Sequence, residues 1–331
     1  VTTRKGMALP DGKVRINYKT QMGFSEVNSS KWDMMNTSQR LQFEEILQDP
    51  NMPGWAYSAY NPNKIVNGVS TPKTAADYAF GKHYLDSLKT INTDWRKYLL
   101  RKAFTQSHTL NLSGGNDRTL FYIAASYLNQ EGIALNSGLK RYSLRANIQN
   151  TSGRLKSSLS VGLSTASVRY IQDEGVAPQG GAAVGGGGIT EKNPIASLYY
   201  ALPYQSPTDS ARPGNFGSNA LDVYRNSLRK DNQIKAVVSL NEDFRLSSDL
   251  HLISTVGIDY QQSNFTNYLN PDSYYGAQEP NGNRGSYQRS LATRLGLIVN
   301  GGLRYNKKWG DHELEANLLA EMNRILSLIH I

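Results

Sequence analysis

The sequence predicts an all-β fold: a partial antiparallel up-and-down transmembrane β-barrel with short helices in long loops at one end. Three observations carry that expectation. Apolar and polar residues alternate over roughly nine segments, the pattern of strands with two different faces. Many of these segments reach about ten residues or more, the length a tilted strand needs to cross a bilayer and longer than the ~5–6 residues of an average soluble strand. The connections between them alternate long, short, long, short.

The first strand is expected from Val14 to Met22, the second from Gln106 to Ser113 and the third from Arg118 to Asn129. In the fourth, Tyr142, Leu144, Ala146 and Ile148 alternate with Arg141, Ser143, Arg145 and Asn147. Leu159, Val161 and Leu163 mark the fifth, and Ile234, Ala236, Val238 and Leu240 the sixth. Leu250, Leu252, Val256, Ile258 and Tyr260 share one face of the seventh. In the eighth, Leu295, Leu297, Val299, Leu303 and Tyr305 lie opposite Arg294, Asn300, Arg304 and Asn306. A ninth starts near Glu313.

Residues 24–105, 169–233 and 265–289 form long excursions, and a medium loop surrounds Gln130-Glu131-Gly132. Tight turns fall at Gly114-Gly115-Asn116-Asp117, Thr151-Ser152-Gly153, Ser247-Ser248-Asp249 and Lys308-Trp309-Gly310-Asp311. Outer-membrane barrels have short periplasmic turns and long extracellular loops, so the long excursions are expected outside the cell. The first should hold a helix within 30–48, capped by Thr37 or Ser38 and stopped by Pro50 and Pro53, and a second from Thr74 to Leu88. The run Gln179–Gly188 is low-complexity and is expected to be flexible.

Composition narrows the function classes. Of 331 residues, 20 are Tyr against 8 Phe and 4 Trp, and tyrosine suits sites where an apolar body meets water, such as barrel girdles or carbohydrate-binding surfaces. The absence of cysteine excludes a disulfide scaffold and a thiolate metal site. The net charge of +9 is scattered along the chain with no nucleic-acid signature, so no nucleic-acid partner is expected. The longest apolar runs, such as Leu295–Val299, fall far short of the ~18 residues of a membrane helix. The glycine run lacks the Gly-Lys-Ser/Thr ending of a phosphate loop. His83, His108, His251, His312 and His330 show no ligand spacing, so neither a metal nor a cofactor is expected. Asp243 and Asp259 fall on neighbouring strands, where a glycosidase carboxylate pair competes with a plain lumen-side role. No catalytic constellation stands out, and an enzyme is not expected.

Arg141, Arg145, Arg294 and Arg304 occupy the polar positions of their strands. Turned to lipid at mid-membrane each would cost about 2–4 kcal/mol, so the polar face is expected to line the lumen and to meet an interior plug.

Short motifs then point to a family. Val1-Thr2-Thr3-Arg4-Lys5-Gly6 resembles the last strand of a plug domain. Thr93-Asp94-Trp95, Gln106-Ser107-His108 with Leu110-Asn111-Leu112-Ser113-Gly114-Gly115, and the stretch Tyr122–Gly132 resemble the TDW, Q-x-H-x-L-x-x-SGG and Y-x-x-S-Y-x-x-QEG motifs of SusC/RagA-type TonB-dependent outer-membrane transporters. The likeness is specific over 1–24 and 93–165 and looser beyond.

The resemblance implies residues 1–12 as the end of a plug and 13–325 as the N-terminal part of a barrel of about 22 strands. Residues 326–331 are expected to be a non-native tail, because Leu326-Ser327-Leu328-Ile329-His330-Ile331 resembles a translated sequencing adapter. The family resemblance also implies nutrient import: a SusD-like lipoprotein over the extracellular loops captures an oligosaccharide or peptide, and the TonB complex, acting through a region N-terminal to this chain, pulls the plug. Outer-membrane lipid would surround the wall. Tyr199, Tyr200, Tyr204, Tyr274 and Tyr275 are then candidates for stacking on sugar rings, with loop packing as the competing reading. A soluble β-rich glycan-binding or glycoside-hydrolase module, and a passive porin or adhesin barrel, are the alternatives. Two open edges would also hinder folding of this piece alone.

Overall fold

The computed structural model describes residues 13–28, 33–171, 193–278 and 282–330. After β1 (Val14–Ser25) comes a small separate hairpin, β2 (Asn63–Val66) and β3 (Val69–Pro72). The main sheet continues through β4 (Ala103–Gly115), β5 (Thr119–Glu131), β6 (Gly138–Ser152), β7 (Leu155–Arg169), β8 (Ser227–Arg245), β9 (Leu250–Leu269), β10 (Ser286–Trp309) and β11 (His312–His330). Its nine strands lie in the order β1-β4-β5-β6-β7-β8-β9-β10-β11, each antiparallel to its neighbour. This is an up-and-down wall with β1 and β11 at its edges.

All nine expected strands form, and most are longer than the alternation alone marks. β8 starts at Ser227, well before Ile234, and β9 continues to Leu269. The reason is that residues 261–264 (QQSN) are polar on both faces, which erases the two-residue signal without ending the strand. Leu326 through His330, expected as a foreign tail, continue β11, with Leu326 opposite Leu295 and Ser327 opposite Arg294.

Antiparallel register carries one face from strand to strand. Residues directly opposite one another point the same way, so Leu112, Ile123, Ala146, Val161, Val238, Ile258 and Leu297 form one row. The neighbouring row on the other face is Asn111, Ala124, Arg145, Gly162, Val237, Asp259 and Gly296. The first face is a band of exposed and half-buried aliphatic side chains, the second mostly small or polar. The second face lines a cavity of about 740 Å³ whose walls include Asn111, Tyr122, Arg145 and Lys235. The sheet therefore has a polar inside and an apolar outside, as a membrane barrel requires.

Aromatic rings border the band. Tyr18, His108, Tyr127 and Tyr142 stand side by side on the outward face, with successive ring centroids 6.1, 6.2 and 4.9 Å apart. The Tyr18 hydroxyl lies 2.6 Å from His108 Nδ1. Tyr305 and Trp309 mark the opposite border, beside the tight turn Gly310-Asp311. Gly153 and Gly310, both at φ +58°, supply the left-handed backbone of the two tightest turns.

The long connections fold. Counting the medium loop between β5 and β6 as the second connection at this end, the first contains α1 (Thr37–Leu47), α2 (Pro53–Ala56), α3 (Ala75–Lys89) and α4 (Arg96–Leu99), and the third, between β7 and β8, contains α5 (Pro194–Tyr200) and α6 (Phe216–Asn226). The α1 cap differs from expectation. Asn36, not Thr37 or Ser38, accepts from Gln39 N, and Gln39 returns the bond in a capping box. Helix α1 ends at a left-handed Gln48, and Pro53 opens the next helix. The α3 helix starts from Thr74 as expected, its hydroxyl accepting from Asp77 N. The plug-like segment 1–12 and the run Gln179–Gly188 lie outside the described residues.

Candidate functional site

Two surfaces qualify: a cap built from the long connections and the polar inner wall. The cap is organised by α6, whose inward residues Ala220, Leu221, Val223 and Tyr224 are buried. Three other connections meet it. From the first, Trp95 and Leu99 pack against Leu198, Ala220, Leu221 and Tyr224. From the second, the Asn136 amide donates to Tyr224 O at 2.5 Å. From the fourth, Tyr275 joins Val223 and Leu269 in a small cluster. The Tyr224 hydroxyl closes the knot by donating to Leu99 O at 3.1 Å.

The motif residues noted in the sequence build this joint. Thr93 N donates to Pro203 O and its hydroxyl to Gln205 O, each at 2.7 Å. Asp94 accepts from Arg96 Nε at 2.8 Å, and this contact holds the Asp94 carboxyl below the usual carboxylate range. The Trp95 indole donates to Leu202 O at 2.9 Å. Glu131 of the Gln-Glu-Gly segment accepts from Phe104 N at 3.1 Å and pairs with Arg101 at 3.5 Å. These positions therefore fasten loops to the wall and to each other.

A Cβ on Gly217 would stand 2.5 Å from three atoms of the Trp95 ring. Gly217→Ala should loosen the joint by about 1–3 kcal/mol through overpacking. Hydrogen exchange should accelerate at 96–99 and 216–224 and stay unchanged in the β-sheet.

The five tyrosines divide. Tyr199 and Tyr200 are 61% and 55% exposed, and Tyr200 stacks on Phe216 at 5.1 Å. Tyr204 is 6% exposed; its hydroxyl donates to Glu44 at 3.0 Å, and burial first, then the Glu44 charge, pushes its ionisation upward. Tyr275 is 8% exposed, with Tyr274 edge-on at 5.0 Å. Tyr204 and Tyr275 thus pack the loops in this structure, and only Tyr199, Tyr200 and part of Tyr274 face outward. Beside them, burial raises the Asp222 carboxyl, opposed chiefly by the Asn226 amide at 2.8 Å.

All four arginines stand on the inner face. Arg145 is opposite Gly162 and lines the large cavity; Arg141 is opposite Ala166. Arg294 is opposite Gln261, and Arg304 lies 3.6 Å from Asp243. Asp243 also meets His251 at 2.6 Å. Asp259 is opposite Val237, six residues along β8 from Asp243, which is about 20 Å at ~3.3 Å per residue. That separation is too wide for the ~5–9.5 Å of a glycosidase pair, so the two aspartates do not form one. On the inner face β1 and β4–β7 carry Arg15, Lys19, Arg141, Arg145 and Lys156 with no carboxylate.

The sequence reading missed α6 and Glu44. A signal for α6 existed: Asn215 as cap, then Phe216, Ala220, Leu221, Val223 and Tyr224 at helical spacing.

No family model matches the chain. It is similar to the TonB-dependent receptor SusC of Bacteroides thetaiotaomicron, 24% identical over 247 residues, covering 66% of this chain and 23% of that protein. It is also similar to the TonB-dependent receptor P3 of Formosa agariphila, 28% identical over 150 residues, covering 45% of this chain and 14% of the relative. The structure of the RagAB peptide importer in its closed-closed state aligns over 99% of this chain and 36% of that chain, with 19% identity and a TM-score of 0.64. Its open-open state aligns with a TM-score of 0.63 and 18% identity. The matched chain thus spans less than a quarter of these curated relatives and about a third of the solved chain. The likeness to the solved chain shows the fold, an up-and-down barrel wall, and the resemblance to SusC/RagA-type transporters stands.

Proposed function

We propose that the chain forms the plug-proximal strands and outer cap of a TonB-dependent importer that takes up an oligosaccharide or peptide together with a SusD-like lipoprotein. One observation supports this above the others: every long connection leaves the same end of a two-faced wall, and these connections pack into one structured cap around α6. A passive pore needs no such cap. The exposed Tyr199 and Tyr200 offer ring faces to a ligand, and the exposed Ile46, Tyr60, Val69 and Phe80 of the first connection offer apolar area to a lipoprotein.

The cationic inner wall of β6 and β7 would hold the plug. In the full-length protein, Arg145→Leu should insert normally, run as a folded, heat-modifiable barrel, and expose the plug to protease while uptake of oligosaccharide or peptide falls. Failed insertion would argue against a lumen-side role, and unchanged uptake with an unchanged plug would remove Arg145 from the mechanism.

A further inference from the structure

Outside the aromatic row the outward face changes character. Lys140 on β6, Arg169 on β7 and Lys230 on β8 occupy outward positions, in register with the apolar band below them. Arg169 and Lys230 are directly opposite each other, and Lys140, opposite Ser167, is one outward position away. Like charges opposed across a strand pair repel. Among the described residues none of the three has an ion-pair partner. They line a cleft of about 370 Å³ with Arg101, Asn129 and Ser167. Its single carboxylate, Glu131, is already held by Phe104 N and Arg101. Two strands further, on β10, Arg289 stands opposite Thr266, itself opposite Lys230.

The surface beneath decides what anion fits. Lys140 is one outward position above Tyr142, which touches Tyr127; below follow Leu144, Leu163 and Ala236 of the apolar band. A soluble anion would use the cations and ignore that band. An amphiphile would use both. A phosphate group, with its three acceptor oxygens and near-double charge, matches two lysines and an arginine better than a lone carboxylate does. We propose that this cleft binds the phosphorylated headgroup of an outer-leaflet lipid, with its acyl chains lying along Leu144, Leu163 and Ala236. This rests on the outer-membrane placement of the barrel and not on what the barrel transports.

The test uses the full-length protein carrying this chain in phosphatidylcholine nanodiscs. Binding of diphosphoryl lipid A, dephosphorylated lipid A and inorganic phosphate is read by native mass spectrometry. The diphosphoryl lipid should bind about tenfold tighter than the dephosphorylated form, and that preference should vanish in Lys140→Gln/Arg169→Gln/Lys230→Gln and shrink with added salt. Without added lipid A, the triple variant should be at least as heat-stable as the parent, because an opposed like-charge pair is gone. The exposed Lys140→Gln alone should weaken the preference in the same direction, independently of any folding defect. Equal binding of both lipid forms, an unchanged preference in the variants, or inorganic phosphate binding as well as the lipid would overturn the proposal. A barrel that failed to insert at all would instead count against the outer-membrane reading.

Discussion

Val238→Arg is expected to cost about 2–4 kcal/mol of barrel stability in a bilayer, whereas Ser239→Arg, one residue on, should cost little. Val238 sits between Val161 and Ile258 in the middle of the apolar band, and Ser239 faces the lumen between Ser160 and Gly257. A guanidinium at 238 would have to shed water or thin the membrane; at 239 it would enter a polar space that already holds Arg145 and Lys235. Denaturant unfolding of the full-length barrel in lipid vesicles gives both values. Equal losses at the two positions would mean that the faces are not distinct. Two charged residues depart from the rule among the described outward positions of the band: Arg324, opposite Leu297 on edge strand β11, and Glu242, between Leu240 and Phe244, which accepts from the Ser157 hydroxyl at 2.6 Å.

The wall was legible in the sequence because its physics is local. Val161, Leu163, Val238 and Leu240 each had to face lipid, and a period of two records that directly. Where both faces of a strand carry polar residues, as at Gln261–Asn264, the record fades, so strand ends were misplaced there. The cap was mostly not legible. Its helices answer to partners far along the chain: Trp95 finds Gly217, and Asn136 finds Tyr224. Nothing in the local pattern around Tyr204 or Tyr275 distinguishes a ring buried against another loop from one offered to a ligand. Exposure separated Tyr199 and Tyr200 from them. The four arginines share the polar face because the same alternation that defines the strands places them there.

Glu44→Ala should release the first connection from the third while leaving the wall intact. Glu44 is fully buried on α1. Its carboxylate accepts from Arg40 Nε at 2.8 Å, Gly54 N at 3.0 Å and the Tyr204 hydroxyl at 3.0 Å. Removing it strands a buried amide and a buried hydroxyl and leaves Arg40 without its partner. The loss of a buried partner costs about 3–5 kcal/mol; because Arg40 keeps some contact with water, about 2–4 kcal/mol is expected here. Tyr204→Phe keeps the ring and removes one of the three bonds, so about 1 kcal/mol should be lost. Hydrogen exchange in the full-length barrel should show Glu44→Ala opening residues 37–56 together with 202–205, with β4–β10 protected as before. A matching fall in the unfolding midpoint of the whole barrel would mean that cap and wall fold as one unit. The cap would then be part of the barrel's stability and could not rearrange on its own while a ligand enters.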